Sequence, residues 1–522
     1  MLGPMIPNQP RVPWQSGDDI ASLVLRYARE TPHGIALVEG DRRVTWAALA
    51  ARVERVASTL AASSLVPGDR VAILGANSVE YVEIVFGALR AGTCVVPLPT
   101  MASTDALARM MADSGSRALL VAGAYREVGR AIADARAVLR VGIDFDGDGF
   151  EAYAALCDRA GAPAPAVTIG ADDAFDVIYS SGTTGVPKGI AHSHGARKAS
   201  YAGSRSRYFD PNTVNVIATP FYSNTTSVTW LLTTANAGTN VLLPKFSVDA
   251  LLDEVARCRV THAMLVPVQY ERLLSSDRFG SADLSSLRFL FCTSAPLRPQ
   301  TKARVVAETP AELVEIYGLT EGGPVTILEA RKHPSKLASV GVPAPGCDVR
   351  VVDDAGRELP PGEVGEVIGR SANMMAGYLN RPEDTSAMVL KMADGTTFFR
   401  TGDLGRFDED GFLYLLDRKK DVIISGGFNV FAVDLETVLS THPGVAEVTV
   451  IGVPSERWGE TPLAVVVLRP GSAATAAELR DYCNERVGKA QRVSAVVLRD
   501  SLPKNAIGKV LKRDLRTEYA GK

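Results

Sequence analysis

Residues 179–189 read YSSGTTGVPKG and follow directly on the apolar run FDVIY at residues 175–179. The apolar run has the length and composition of a buried strand, so a strand leads into a loop of small residues. Glycines allow the backbone to turn so that several N–H groups point inward, and hydroxyl groups add further donors. Lys188 adds a positive charge near the end of the loop. This stretch therefore predicts an anion-binding loop, suited to phosphate, at the end of a strand.

The loop lacks the GxxxxGK[ST] spacing of the usual P-loop. The alternative interpretation is a flexible surface turn rich in Ser, Gly and Thr. An unbroken run of small residues at 180–185 that leads into PKG favours phosphate binding. On this interpretation the candidate phosphate ligands are Ser180, Ser181, Gly182, Thr183, Thr184, Gly185 and Lys188.

Around this loop, short apolar runs alternate with segments of helical period, which predicts an α/β fold with large, doubly wound sheets. Near residue 340 Gly, Pro and Asp become dense and short alternating runs appear, which predicts a small antiparallel β unit. Residues 421–522 contain their own helical and strand patterns. We therefore predict a large domain at residues 1–419 and a small, mobile α+β domain at residues 420–522, with a hinge near Lys420.

The composition and net charge limit which partners and which cellular location we expect for this protein. The chain has 522 residues, of which 46% are hydrophobic and 22% charged, and a formal net charge of −3. This balance gives no support for a nucleic-acid or anionic-membrane partner. The six cysteines are scattered without a CxxC pair, no apolar run is long enough for a membrane span, and the N-terminus lacks a signal-peptide pattern. We expect a cytoplasmic protein without a membrane span, either a monomer or a homodimer.

Further motifs follow in order along the chain. They are YGLTE at residues 317–321, TGD at residues 401–403, RKKD at residues 418–421 and LPKNAIGK at residues 502–509. Together with the glycine-rich loop, they resemble the signature motifs of the adenylate-forming superfamily, which includes acyl-CoA synthetases, amino-acid-activating domains and firefly luciferase. The resemblance covers roughly residues 175–513, and the N-terminal part is similar only in texture. It implies an enzyme that uses ATP and Mg²⁺ to form an acyl-adenylate.

The resemblance implies a role for each motif in ATP binding and catalysis. Lys509 would lie against the substrate carboxylate and the α-phosphate, two anions whose repulsion an ammonium group offsets. Thr320 would contact the α-phosphate, and Glu321 would bind Mg²⁺, which favours carboxylate oxygens. Without the motif, Lys509 would be interpreted as a surface lysine of a basic tail and Glu321 as a solvated loop charge. The catalytic residues predicted are Lys509, Thr320, Glu321 and Lys188.

The nucleoside and coenzyme A contacts also follow from the resemblance. Asp403 would accept hydrogen bonds from the ribose hydroxyls, with Arg418 beside it. The adenine contacts would be Thr293, Ser294, Ala295, Pro296, Tyr317 and Gly318, although Thr293 stands where the family commonly has Gly. Rotation of the C-terminal domain about Lys420 would bring Gly426 and Gly427, with Trp458 nearby, to a pantetheine tunnel.

The acid is less well defined by the sequence. The acyl pocket is expected around Tyr222, Ser223, Asn224, Val268, Gly318 and Gly323. Residues 220–230 carry no charge, which disfavours an amino acid or a dicarboxylate because a buried charge would lack its partner. A neutral-tailed aromatic, phenylpropenoic, alicyclic or medium-chain acid remains. CoA ligases of the coumarate and benzoate type often carry His where Ser223 stands. Two alternatives follow: this chain gates the thioester step differently, with Tyr222 as the candidate, or the substrate extends further into the site.

Two rival functions remain open at this stage. The adenylate could be passed to a carrier protein instead of free coenzyme A, or the chain could be an inactive nucleotide- or CoA-binding protein. The presence of Lys188, Glu321, Asp403 and Lys509 argues against the inactive form.

The HxH pair His192 and His194 suggests a metal site, but no further ligand cluster completes it. Structural packing is the preferred interpretation for His194.

Overall fold

The computed structural model describes residue 11 and residues 13–133, 137–158, 163–180, 187–203, 207–504, 508 and 510–520. The chain forms two compact units. The larger unit contains Met1–Leu337, Pro343–Val349 and Gly369–Phe399, and the smaller unit contains Ala338–Val342, Arg350–Ile368 and Arg400–Lys522. The boundary predicted at Lys420 stays a prediction.

In the larger unit, strands and helices alternate as the sequence periodicity predicts. The strands are β1 (Ile35–Glu39), β2 (Arg42–Thr45), β3 (Arg70–Leu74), β4 (Cys94–Pro97), β5 (Ala118–Val121), β6 (Leu139–Gly142), β7 (Glu151–Ala152), β8 (Ala174–Ser180), β9 (Lys188–Ser193), β10 (Val214–Ile217), β11 (Thr239–Leu242), β12 (His262–Leu265), β13 (Phe289–Cys292), β14 (Glu312–Tyr317) and β15 (Thr326–Glu329). The helices are α1 (Ile20–Glu30), α2 (Trp46–Ala62), α3 (Val79–Arg90), α4 (Thr104–Ser114), α5 (Arg126–Ile132), α6 (Tyr153–Asp158), α7 (His194–Tyr201), α8 (Asn224–Ala235), α9 (Val248–Cys258), α10 (Pro267–Leu274) and α11 (Pro299–Glu308).

The chain then passes between the two units several times. The elements here are β16 (Val342–Pro343), β17 (Asp348–Val352), β18 (Gly365–Arg370), β19 (Gly377–Tyr378), α12 (Pro382–Ala387), β20 (Val389–Lys391), β21 (Thr397–Phe407) and β22 (Leu413–Arg418). The rest of the smaller unit contains β23 (Ile423–Ser425), β24 (Phe428–Val430), α13 (Ala432–Ser440), β25 (Val445–Ser455), β26 (Gly459–Leu468), α14 (Ala476–Asn484), β27 (Ala495–Leu498) and α15 (Lys512–Tyr519).

Two large sheets form the frame of the larger unit. One has the strand order β19-β9-β8-β4-β3-β5-β6-β7, and the other contains the order β15-β14-β13-β12-β10-β11-β1-β2. The central strands are parallel, whereas β9 and β19, β2, and β15 pair antiparallel with their neighbours. A core with Trp46, Phe86, Trp230 and Phe291 unites helices and strands of both sheets. The expectation of doubly wound sheets is confirmed, with antiparallel strands added.

The smaller unit is the expected α+β structure. Its sheet has the order β24-β23-β26-β25, and β27 pairs in parallel with β26. Leu515 and Tyr519 of α15 pack in a cluster with Ile451 and Val465 of this sheet. No helix within the described ranges is long and apolar enough to cross a bilayer.

Candidate active site

The ends of the glycine-rich loop are fixed by an antiparallel strand pair. Ser180 at the end of β8 pairs with Lys188 at the start of β9. The ligands predicted between them, Ser181, Gly182, Thr183, Thr184 and Gly185, lie outside the described residues. Their contact with phosphate therefore stays a prediction.

Tyr378 brings together two motifs that are far apart in the sequence. Its hydroxyl donates to Glu321 Oε1 at 2.8 Å, and the Lys188 ammonium lies 5.0 Å from its ring centroid. Lys188 also pairs with Asp384 Oδ2 at 3.0 Å. The pairing of β19 with β9, with Tyr378 opposite Ile190, creates this arrangement. Tyr378 and Asp384 were not predicted from the sequence, because neither lies in a recognised motif.

The backbone after Glu321 turns against residues 371–375. Gly322 has a φ of +75°, and a Cβ atom there would lie 1.9 Å from the carbonyl oxygen of Asn373. The Gly322 carbonyl accepts a hydrogen bond from Ser371 Oγ at 2.7 Å, and Met375 N donates to the Glu321 carbonyl at 2.9 Å. Only glycine fits this close approach, and the approach fixes the position of the Glu321 backbone.

A buried charged cluster lies beside these strands. Asp176 on β8 accepts two bonds from Arg197 Nη2 of α7, at 2.9 and 2.6 Å, and contacts His192 Nδ1 of β9 at 2.8 Å. His192 Nε2 contacts the Thr320 carbonyl oxygen at 2.8 Å, and Arg197 Nη1 donates to Asn224 Oδ1 at 2.7 Å. Burial alone would raise the pKa of Asp176, but the adjacent Arg197 and His192 hold it below its usual value. This cluster was not predicted from the sequence, because its members lie on three different elements.

His194 differs from His192 in every contact. It begins α7, and its ring packs 5.1 Å from Phe175 and 6.3 Å from Trp14, measured between centroids. Within the described parts of the chain, neither of its ring nitrogens has a hydrogen-bond partner. Burial lowers the pKa of His194 to about 4. These contacts match the packing role preferred for His194, and no group of three or more His, Cys, Asp or Glu in the described ranges could hold a metal ion.

The residues predicted for the acyl pocket lie around the start of α8. Ser223 is the N-cap of this helix, and its hydroxyl accepts from Thr225 N. Tyr222 is buried, and Asn224 binds Arg197 as described above. A Cβ at Gly318 would lie 3.3 Å from the Pro324 carbonyl oxygen, and one at Gly323 would lie 3.1 Å from the Phe399 ring. Val268 is half-buried in the first turn of α10.

The predicted adenine segment, Thr293–Pro296, is anchored at both ends. The Ser294 hydroxyl hydrogen-bonds that of Thr225, and Ser294 has a φ of +81°. Leu297 N donates to Glu315 Oε1 at 3.2 Å, and the other Glu315 oxygen forms a buried ion pair with Lys302. Glu315 precedes Tyr317 by two residues on β14, so the pair connects this segment to the strand that carries the predicted adenine contact.

In the smaller unit, strand register places the two predicted ribose residues together. Asp403 on β21 lies opposite Arg418 on β22, and Arg418 Nε contacts Asp403 Oδ1 at 2.9 Å. Burial lowers the pKa of the predicted hinge residue Lys420. Its neighbour Asp421 pairs with Arg516 of α15 at 2.8 Å.

The coenzyme A residues predicted from sequence form one corner of the smaller unit. Gly426 N donates to the Trp458 carbonyl at 2.8 Å, and a Cβ at Gly426 would lie 2.8 Å from the Trp458 ring. Gly426 and Gly427 have φ values of +58° and +85°. Trp458 is 47% exposed, and the Arg457 guanidinium lies 4.6 Å from its ring centroid.

The motif of residues 502–509 is described only in part. Lys504 and Val510 form an antiparallel bridge, and Leu511 N donates to the Pro503 carbonyl at 2.9 Å. Lys509 itself lies outside the described residues, so its catalytic role stays a prediction.

Comparison with known proteins identifies the family. The AMP-binding enzyme family matches residues 24–379, and the AMP-binding enzyme C-terminal domain matches residues 434–509. The chain belongs to the AMP-binding enzyme family. This confirms the resemblance inferred from the motifs, and with it an AMP-forming acid–thiol ligase.

Individual members of the AMP-binding enzyme family align over nearly their whole length. The chain is 36% identical to feruloyl-CoA synthase of an Amycolatopsis species, over 96% of this chain and 99% of that protein. It is 35% identical to indoleacetate–CoA ligase of Aromatoleum aromaticum, over 97% and 99%. The crystal structure of ATP-bound MatB from Rhodopseudomonas palustris superposes with a TM-score of 0.86 at 34% identity, over 96% of this chain and 99% of that one.

Proposed function

We propose that this chain is an ATP-dependent carboxylic acid–CoA ligase that forms an acyl-adenylate and then transfers the acyl group to coenzyme A. The acid, ATP and coenzyme A would be the substrates, with AMP and pyrophosphate as by-products. Mg²⁺ would enter with ATP.

The observation that carries this proposal is the grouping of Lys188 and Glu321 around Tyr378. A cation and a carboxylate are fixed near one phenol ring, at the base of the glycine-rich loop. A Mg²⁺–triphosphate needs both charges, because ammonium groups bind phosphate oxygens and carboxylates bind the metal. Tyr378 would thus orient Glu321 toward the metal while Lys188 binds phosphate.

In the smaller unit, the buried Asp403 carboxylate supports ribose binding. A carboxylate accepts from two neighbouring hydroxyls at once, and the ion pair with Arg418 would keep it oriented. The close contact between Gly426 and Trp458 supports the proposed coenzyme A role. A residue without a side chain at position 426 would let the pantetheine chain approach the backbone beside the exposed Trp458 ring. Lys509 would provide the cation that brings the carboxylate and α-phosphate together.

For the acid, we propose an aromatic substrate without a charged tail. Residues 220–230 are uncharged, but Arg197 from α7 reaches Asn224 at the edge of the predicted pocket. Its charge is already neutralised, because Asp176 accepts two bonds from the same guanidinium. Arg197 is therefore not free to bind a second carboxylate, and the names of the two relatives, feruloyl-CoA synthase and indoleacetate–CoA ligase, favour an aryl group.

A substrate-panel assay tests the proposal. Pyrophosphate release is measured with and without coenzyme A, using cinnamic, arylacetic, benzoic, alicyclic and medium-chain acids, and acyl-CoA is quantified by mass spectrometry. Aromatic acids should give pyrophosphate and acyl-CoA. Pyrophosphate without acyl-CoA would favour transfer to a carrier protein, and no release with any acid would favour an inactive binding protein.

A variant of Lys509 tests whether this residue acts in adenylation and not in thioester formation. In Lys509→Ala, adenylation should fall by several orders of magnitude, because positioning and electrostatic stabilisation are both lost. Thioester formation from supplied acyl-adenylate should largely persist. Lys504→Ala is the matched control, since Lys504 lies in the same motif but pairs with Glu447. Equal loss in both half-reactions, or equal loss in the control, would contradict the assignment.

A further inference from the structure

Glu315 joins three elements near the end of β14. Its backbone lies opposite Cys292, the last residue of β13, and its Oε1 accepts from Leu297 N at 3.2 Å. Its Oε2 forms an ion pair with the ammonium group of Lys302 on α11. The side chains of Glu315 and Lys302 are 3% and 2% exposed, so solvent does not compete for these contacts.

The segment of residues 293–296 is held at both ends by this one glutamate. It begins directly after Cys292 and ends before Leu297, the two residues that Glu315 contacts. Within it, Ser294 has a φ of +81°, a conformation that a residue with a Cβ keeps only where its surroundings hold it. The Ser294 hydroxyl hydrogen-bonds that of Thr225 on α8. The segment is therefore fixed at three points.

A half-buried aromatic ring lies on the same face of this strand. Glu315 and Tyr317 are two residues apart on β14, so their side chains point to the same side of the sheet. Ser294 and Ala295 are also half-buried, which leaves part of the fixed segment accessible. A purine base needs an aromatic face for stacking and backbone groups for hydrogen bonds to its edge. Tyr317 and the backbone of residues 293–296 are suited to these two tasks.

We propose that Glu315 is a positioning residue for the nucleobase of ATP, whose carboxylate, oriented by Lys302, holds Leu297 N and so sets residues 293–296 relative to Tyr317. This inference rests on the proposed ligase function. A buried ion pair contributes little net stability, because the desolvation of both charges offsets their attraction. The effect of this pair is to fix the direction of the carboxylate. Glu315 acts through Leu297 and takes no part in the chemistry.

Two double variants separate the hydrogen-bond acceptor from the buried charge. Lys302→Met/Glu315→Leu removes the ion pair and the acceptor together and leaves no unpaired charge in the core. Lys302→Met/Glu315→Gln also removes the ion pair but keeps an amide oxygen that can accept from Leu297 N. Arg304→Met is the matched control, since Arg304 lies on the same helix and pairs with Glu308 at the surface. Urea denaturation establishes that each variant is folded.

Kinetics with two nucleotides separate positioning from folding. In Lys302→Met/Glu315→Leu, KM for ATP and KM for supplied acyl-adenylate should both rise about tenfold, the effect of one lost buried hydrogen bond. Both ligands carry adenine, whereas KM for the acid should change little. The preference for ATP over GTP, measured as the ratio of kcat/KM, should also fall, because the segment that contacts the base is displaced. Lys302→Met/Glu315→Gln should recover most of both losses.

Arg304→Met should keep the wild-type KM and base preference. A Lys302→Met/Glu315→Leu variant that matches this control, or equal losses in the two double variants, would overturn the positioning role. Calorimetric titration with ATP and with GTP, in the absence of any acid, tests the role independently of catalysis. Equal affinity of the wild-type protein for the two nucleotides would also overturn it. If the wild type activates no acid but binds ATP more tightly than GTP, the ligase proposal fails and this one is still decided by the variants.

Discussion

Replacing Gly322 with alanine tests how tightly the backbone next to Glu321 packs against residues 373–374. The added methyl group would lie 1.9 Å from the Asn373 carbonyl oxygen, 2.6 Å from its carbon and 3.0 Å from Met374 Cα. All three are backbone atoms, so no side-chain rotation relieves the contact. The left-handed backbone at Gly322, with its φ of +75°, adds a conformational cost for any residue with a Cβ.

Two costs add in this variant. A non-glycine residue in the left-handed region costs about 1–2 kcal/mol, and overpacking adds about 1–3 kcal/mol, so Gly322→Ala should lose about 2–5 kcal/mol. Gly346→Ala isolates the first cost, because Gly346 has a φ of +82° and open space around its Cβ position. The control should lose only about 1–2 kcal/mol.

Urea denaturation of both variants, followed by fluorescence and circular dichroism, measures the difference. Gly322→Ala should also lose most pyrophosphate release under native conditions, because residues 373–375 must move away from Glu321. Gly346→Ala should retain it. Equal destabilisation of the two variants, or full adenylation by Gly322→Ala, would refute the steric reasoning.

Two further predictions concern buried charge. Lys302→Met leaves the Glu315 carboxylate buried without its cation and should cost about 3–5 kcal/mol, and adding Glu315→Gln should restore part of this in urea denaturation. No recovery in the double variant would contradict a charge-based cause. His194 is neutral in the folded protein, whereas the unfolded chain takes up a proton below pH 6.5. The free energy of unfolding is therefore highest above pH 6.5. It falls by about 3 kcal/mol as the pH drops toward 4, because only the unfolded chain gains the proton in this range. Urea midpoints across this range should fall more steeply for the wild type than for His194→Phe, and parallel curves would contradict the assignment.

Most of the fold follows from local pattern. The short apolar runs of the sequence coincide with observed strands, for example at residues 70–74 and 118–121, because buried parallel strands need continuous apolar side chains. The antiparallel addition of β19 to β9 could not be predicted, since two residues of strand carry no periodic signal.

The site was predictable where backbone conformation constrains sequence. Glycines with positive φ, such as Gly322 and Gly426, lie shortly after the YGLTE and RKKD motifs, which can be recognised directly in the sequence. The Asp176–His192–Arg197 cluster was not predictable, because its residues meet only when β8, β9 and α7 pack together. The HxH pattern suggested a metal site, although the second histidine lies on a helix instead of the strand.

The terminal helix α15 has a consequence for alleles of the gene. Its ion pairs reach Asp421, Glu436 and Arg499, and Leu515 closes part of a core. A nonsense codon just after Val510 would leave every recognised motif intact but would remove helix α15 with its ion pairs and its part of the core. Such a truncation should therefore behave genetically as a null.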